Sequence, residues 1–159
     1  MTKPHTSPAP RRVLDLKAPV FDAGAVARAN DALKAMSGSF KQWLADDVAR
    51  MQDFRQAGEG SGWQAGDFEG LFALAHDLKG MGGTYDYPLV TQLAASLCRL
   101  IETDAGKAAA RTEPALIGAH VDALRAAVRG QIQTDAHPIG GALLRTLEAR
   151  VEALGVAPR

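Results

Sequence analysis

The stretch Leu71–Tyr87, LFALAHDLKGMGGTYDY, decides how this chain is read. Its first half has the apolar spacing of a helix, yet its second half carries Gly80, Gly82 and Gly83. Each glycine weakens a helix by about 1 kcal/mol relative to Ala. With His76 at zero and roughly 100° per residue, Leu71, Ala75, Leu78 and Gly82 gather between roughly −100° and −160°. Leu74 and Tyr85 lie at the edge of that cluster, which is the expected buried face. His76 therefore faces outward or sits on the border. Its neighbours at helical steps are Glu69, Phe72, Ala73, Lys79, Gly80 and Gly83. Small residues at 73, 80 and 83 let another molecule come close to the imidazole. Gly82 falls on the inner face, where it lets a neighbouring helix approach. A bland reading competes: glycines marking a fraying helix end, and Lys79 as an ordinary solvated charge.

Working outward, Asp67 is expected to open this helix and the DYP segment to end it, giving a span of about 67–85. Pro88 disfavours helical geometry at Tyr87 and suits the first turn of a next helix over about 88–104. Leu89, Leu93, Leu97, Leu100 and Ile101 form its core stripe. TDAGKAAART (103–112) is read as a loop, with a further helix from Thr112 to about Gln133. DAHPIGG (135–141) breaks it, and a last helix covers about 142–154 with Leu143, Leu147, Val151 and Leu154 in line. Upstream, AGEGSGWQAG (57–66) reads as a glycine-rich loop. Before it lies a helix over about 40–57, capped by Ser37 or Ser39, whose apolar face is Phe40, Trp43, Leu44, Val48, Met51 and Phe54. Asp22 caps a first helix over about 23–36, and the proline-bearing residues 1–20 form a flexible arm. No strand alternation is evident. Short connections between helices favour antiparallel neighbours. The expectation is an all-α, up-and-down antiparallel four-helix bundle with additional N- and C-terminal helices, one domain over 21–159.

Composition narrows the function. The chain has 159 residues, and its 18 Lys plus Arg balance its 18 Asp plus Glu. A net charge of zero argues against nucleic-acid or membrane binding, both of which rely on excess positive charge. The single cysteine, Cys98, excludes an internal disulfide and fits a reducing compartment. No apolar run is long enough to span a membrane, and the N-terminus lacks a signal-peptide core, so a cytoplasmic location is expected. His5 in the arm is expected to be inert, His120 structural or at the surface, His137 part of a turn, and Cys98 a small core residue. No His, Cys or carboxylate spacing marks a metal site, and no bound cofactor is expected. MGGTY lacks the lysine-terminated phosphate loop, so a nucleotide site and independent kinase activity are not expected.

Ala75–Gly80, AHDLKG, resembles the H-x-L-K-G signature of histidine phosphotransfer (HPt) domains, in which the histidine lies on one helix of a four-helix bundle. His76, Leu78, Lys79 and Gly80 match position by position, and LVTQLAASLCRLIE (89–102) is similar to the family's next helix. The resemblance is strongest over about 68–104. GTYDYP and SLCRLIE look like stand-alone alphaproteobacterial members. The resemblance implies that His76 is the phospho-acceptor, relaying a phosphoryl group between receiver-domain aspartates, with Nε2 as the attacking atom. It implies Mg²⁺ on the partner receiver and none held by this chain. Lys79 then supports the phosphoryl charge, and Gly80 and Gly83 give the partner access. Glu69, Phe72, Ala73 and Asp77 are expected to border the docking face, with Phe72 equally readable as core. Partners implied are receiver domains of response regulators or hybrid histidine kinases, met by a monomer. One departure is Asp86, where many members have glycine. That departure and the extra helix leave room for an adaptor with the same fold that binds a receiver or kinase without accepting phosphate.

Overall fold

Local capping chemistry sets most helix boundaries in the computed structural model, which describes residues 22–84 and 86–156. The expected arm, with His5, lies outside the described residues, as does Tyr85. Among the described residues there are six α-helices: α1 (Ala23–Ser61), α2 (Ala65–Gly82), α3 (Pro88–Ile101), α4 (Asp104–Thr112), α5 (Pro114–Arg129) and α6 (Pro138–Ala153). No described residue is in a strand. The chain divides into two units, Met1–Met36 and Ser37–Arg159. In the first, the described residues are helical from Ala23 and almost all exposed. The second is an all-α helical bundle.

The core of the second unit is built around α3. Its Leu89, Val90, Leu93, Leu97, Leu100 and Ile101 are all buried. They join Phe40, Leu44 and Met51 of α1, Phe68, Leu71 and Leu78 of α2, and Ile117, Val121 and Leu124 of α5. Burying each large side chain contributes about 1.5–3 kcal/mol. Pro88 occupies the first turn of α3, and the Leu89 N–H donates to the Gln133 carbonyl (2.9 Å), tying the start of α3 to the segment after α5. Short turns join α2 to α3 and α4 to α5. α6 packs on α3 and α5.

Several boundaries differ from the sequence reading. The helices expected over 23–36 and 40–57 are one helix, and neither Ser37 nor Ser39 caps anything. Ser-Gly-Ser lowers helix propensity by about 2 kcal/mol relative to three alanines but holds no proline, and Gly38 stands in open space, so nothing forces a break. The glycine-rich stretch stays helical to Ser61, and the chain turns at Gly62 (φ 76°) and Trp63 (φ 61°). Trp43, counted on the core face, is 53 % exposed. It lies roughly 95° from the centre of the Phe40–Leu44–Val48–Met51 arc. The supposed loop 103–112 is α4: Thr103 Oγ1 accepts from the Gly106 N–H at 3.0 Å, and three consecutive alanines favour helix. α5 starts at Pro114 and stops at Arg129, short of Gln133, because Gln131 takes φ 51°. DAHPIGG contains the start of α6. His137 Nδ1 accepts from the Ile139 N–H at 3.2 Å, and Pro138 follows as the first helical residue. α2 begins at Ala65 and ends at Gly82, and α3 ends at Ile101.

Candidate functional site

The site is assembled on α2. At its start, the Asp67 carboxylate accepts from the Gln64 N–H (2.9 Å) and the Ser61 hydroxyl (2.6 Å), closing the turn after α1. Along the helix, Phe68, Leu71, Leu74, Ala75, Leu78 and Gly82 are buried. At its end, a Cβ on Gly82 would lie 2.8 Å from the Tyr87 carbonyl oxygen and 2.9 Å from the Thr91 nitrogen, so only glycine fits where α3 returns. The Tyr87 N–H donates to the Gly82 carbonyl at 2.8 Å across that turn. Asp86, at the position where many HPt domains have glycine, takes φ 61°. Asp tolerates this left-handed region better than most residues, so the turn forms with Asp at this position.

With its inner face so fixed, α2 turns His76 outward: the side chain is 68 % exposed. Asp77 beside it is 65 % exposed, with Oδ1 4.0 Å from Nδ1, beyond hydrogen-bond range. The Phe72 ring centroid lies 6.0 Å from that of His76. Phe72 is half-buried against the core, so its two readings meet: one face packs inward while the ring flanks the imidazole. Glu69, Ala73, Lys79, Gly80 and Gly83 are all exposed. A Cβ on Gly80 would meet nothing within 4 Å, and one on Gly83 only Thr91 Oγ1 at 3.9 Å. Gly83 has φ −68°, which any residue adopts. Neither packing nor backbone conformation requires glycine at 80 or 83.

α3 adds residues that the sequence reading did not assign to the site. A cleft of about 350 Å³ is lined by Phe72, His76, Lys79, Ala95, Cys98, Arg99 and Glu102. Ala95, Arg99 and Glu102 stand at steps of four and three on α3, one helical face, so the signal was present once α3 is laid antiparallel beside α2. Cys98 is buried, and desolvation pushes its thiol up to about 11, against a smaller pull from Lys79. It is protonated at neutral pH. On the α1 side, burial raises the carboxyl of Asp47 above its ordinary value. Arg50, 3.6 Å away, opposes this, and Asp77 and Asp46 add to it. His76 thus has Asp77 beside it, and its cleft is lined by the cations Lys79 and Arg99 together with Glu102.

His120 is built for a different purpose. It is fully buried, with Nδ1 2.8 Å from the Leu116 carbonyl and Nε2 2.9 Å from Ser96 Oγ. The carbonyl can only accept, so Nδ1 carries the proton and Nε2 accepts from Ser96. Burial lowers its pKa to about 4, which the Leu116 hydrogen bond partly opposes. His120 is a core residue; His137 is a helix cap. Among the described residues, no three His, Cys, Asp or Glu side chains converge as metal ligands, and no helix is long and apolar enough to cross a membrane.

The family model of the Hpt domain matches residues 35–131, well over half of the chain. The chain belongs to the Hpt domain family. The match runs from α1 to the end of α5 and includes the whole His76 site, while α6 lies beyond it. Hpt domains are phosphocarrier modules of two-component signalling rather than kinases, and they interact with receiver domains and histidine kinases. No curated protein and no solved structure compared with this Hpt chain matches it.

Proposed function

We propose that His76 is the phosphoryl acceptor and donor of this Hpt protein, passing the group between receiver aspartates as a phosphohistidine. The observation that carries the reading is the exposed His76 imidazole on a helix whose other face is packed in the core, flanked by two glycines that the fold does not need. Imidazole suits the task because its neutral form keeps a nitrogen lone pair free to attack phosphorus. Nε2 attacks phosphorus of the aspartyl phosphate, a P–N bond forms, and the P–O bond breaks with its electron pair leaving on the carboxylate. The reverse step delivers the group to the next receiver. Phosphoryl transfer needs mostly positioning and charge stabilisation. This chain supplies the rigid imidazole and the Lys79 cation; the receiver supplies its own Asp and Mg²⁺. The carrier works as a monomer and holds no cofactor of its own. Glu69, Ala73, Asp77 and the outer edge of Phe72 border the docking face.

The test is label transfer from phosphorylated receivers. Acid-labile, base-stable label on the wild type that disappears in His76→Gln supports the reading. Receiver binding and downstream output unchanged in His76→Gln would favour a non-phosphorylated adaptor.

A further inference from the structure

Arg99 is a cation without a use in the fold. It is half-buried on α3, yet it forms no ion pair with any described residue. Arg55, half-buried like it, is held by Asp122 and Glu59 at 2.6 and 2.9 Å. Arg111 donates to the Trp63 carbonyl at 3.0 Å and stacks on Phe68, and Arg150 pairs with Glu113. A half-buried guanidinium that no carboxylate occupies keeps its N–H donors open to an arriving anion. Arg99 opens on the same cleft as His76 and Lys79, from the opposite helix. The cleft has apolar walls in Phe72 and Ala95, which strengthen any charge interaction inside it.

We infer that Arg99 is a second phosphoryl-binding group: its guanidinium holds oxygens of the phosphoryl group on His76, opposite Lys79. This rests on the phosphohistidine reading above and adds to it a fork-shaped donor from α3. A guanidinium matches phosphate oxygens through paired N–H donors, where a lysine acts as a point charge. The anion would thus be held from both helices. Glu102 also lines the cleft, and its carboxylate disfavours placing the anion at its end.

The test uses the full chain and potassium phosphoramidate, a small donor that needs no receiver. The imidazole nitrogen attacks its phosphorus, and the P–N bond to nitrogen breaks as ammonia leaves with a proton. Phosphorus-31 NMR then follows the ionisation of the phosphohistidine in wild type, Arg99→Ala, Arg99→Gln and Arg99→Lys, with circular dichroism reporting the fold. A nearby cation favours the dianion, so Arg99→Ala is expected to raise the phosphoryl pKa by roughly half a unit. Arg99→Lys, which keeps the charge, should restore most of the shift. Arg99→Gln, which removes the charge but keeps a long polar side chain, should show the same rise as Arg99→Ala and carries the test if the alanine variant fails to fold. Titrations of Arg99→Ala and Arg99→Gln identical to wild type, with label on His76, would overturn the role of Arg99 alone. Label persisting in His76→Gln would instead overturn the phosphohistidine reading beneath it.

Discussion

Gly80 separates a glycine kept for access from one kept for packing. In Gly80→Ala, the added methyl meets nothing within 4 Å. The only thermodynamic effect left is helix propensity, about 0.5–1 kcal/mol of stabilisation near the end of α2. In a domain of this size that raises the melting midpoint by about 1–4 °C. Gly82→Ala is the opposite case. Its methyl would press on the Tyr87 carbonyl oxygen at 2.8 Å and the Thr91 nitrogen at 2.9 Å, both backbone atoms that cannot rotate away. Overpacking of this kind costs about 1–3 kcal/mol, so the midpoint should fall. Gly80→Gln then asks about function. Its side chain stands one turn from His76, where a receiver must approach. Transfer from a phosphorylated receiver should drop by about tenfold to a hundredfold, since displacing a docked partner by about an ångström can cost up to about a hundredfold. Labelling by phosphoramidate, a donor of a few atoms, should be unchanged. Thermal melts of the three variants, and initial transfer rates with both donors, measure all of this. Unchanged receiver transfer in Gly80→Gln, or destabilisation in Gly80→Ala, would refute the access argument.

Three further outcomes are expected. Lys79→Ala should slow receiver-to-His76 transfer by about tenfold without abolishing it, since one charge-assisted contact is lost, and rapid-quench kinetics will show it. His120 should make the fold acid-sensitive. Its folded pKa of about 4 lies below the ordinary value near 6.5, so its neutral form stabilises the fold fully above about pH 6.5, and that contribution is lost as pH falls towards 4. Between pH 7 and pH 5 the loss is about 2 kcal/mol. Urea unfolding of wild type should show it, and His120→Gln should show a much smaller pH dependence. Gly83→Ala should be tolerated by the fold, because its φ of −68° suits any residue, with a melting midpoint at or above that of wild type.

Much of this was legible because periodicity reports burial. The arc of Leu71, Ala75, Leu78 and Gly82 turned His76 outward from spacing alone, and the buried face of α2 is that arc. What periodicity cannot report is whether a weak segment is weak enough to break. Ser37-Gly38-Ser39 stays helical within α1, while the similarly glycine-rich Gly62 and Trp63 turn because Trp63 is drawn into the core. α4 was hidden for a related reason: a threonine cap and three alanines outweigh Asp104 and Gly106, whose loop preference is only a prior. Trp43 shows the limit of residue type, since a large apolar side chain just off the core arc is left exposed. Arg99 and Glu102 were out of reach for a geometric reason. They join the site only when α3 is folded back beside α2, and no spacing along the chain expresses that pairing.

The most direct measurement of the central claim is site mapping of the phosphoryl group after incubation with a phosphorylated receiver. Mass spectrometry at neutral pH should place the modification on His76 in the wild type, and none should form in His76→Gln. Modification at any other residue, or undiminished labelling of His76→Gln, would contradict the account.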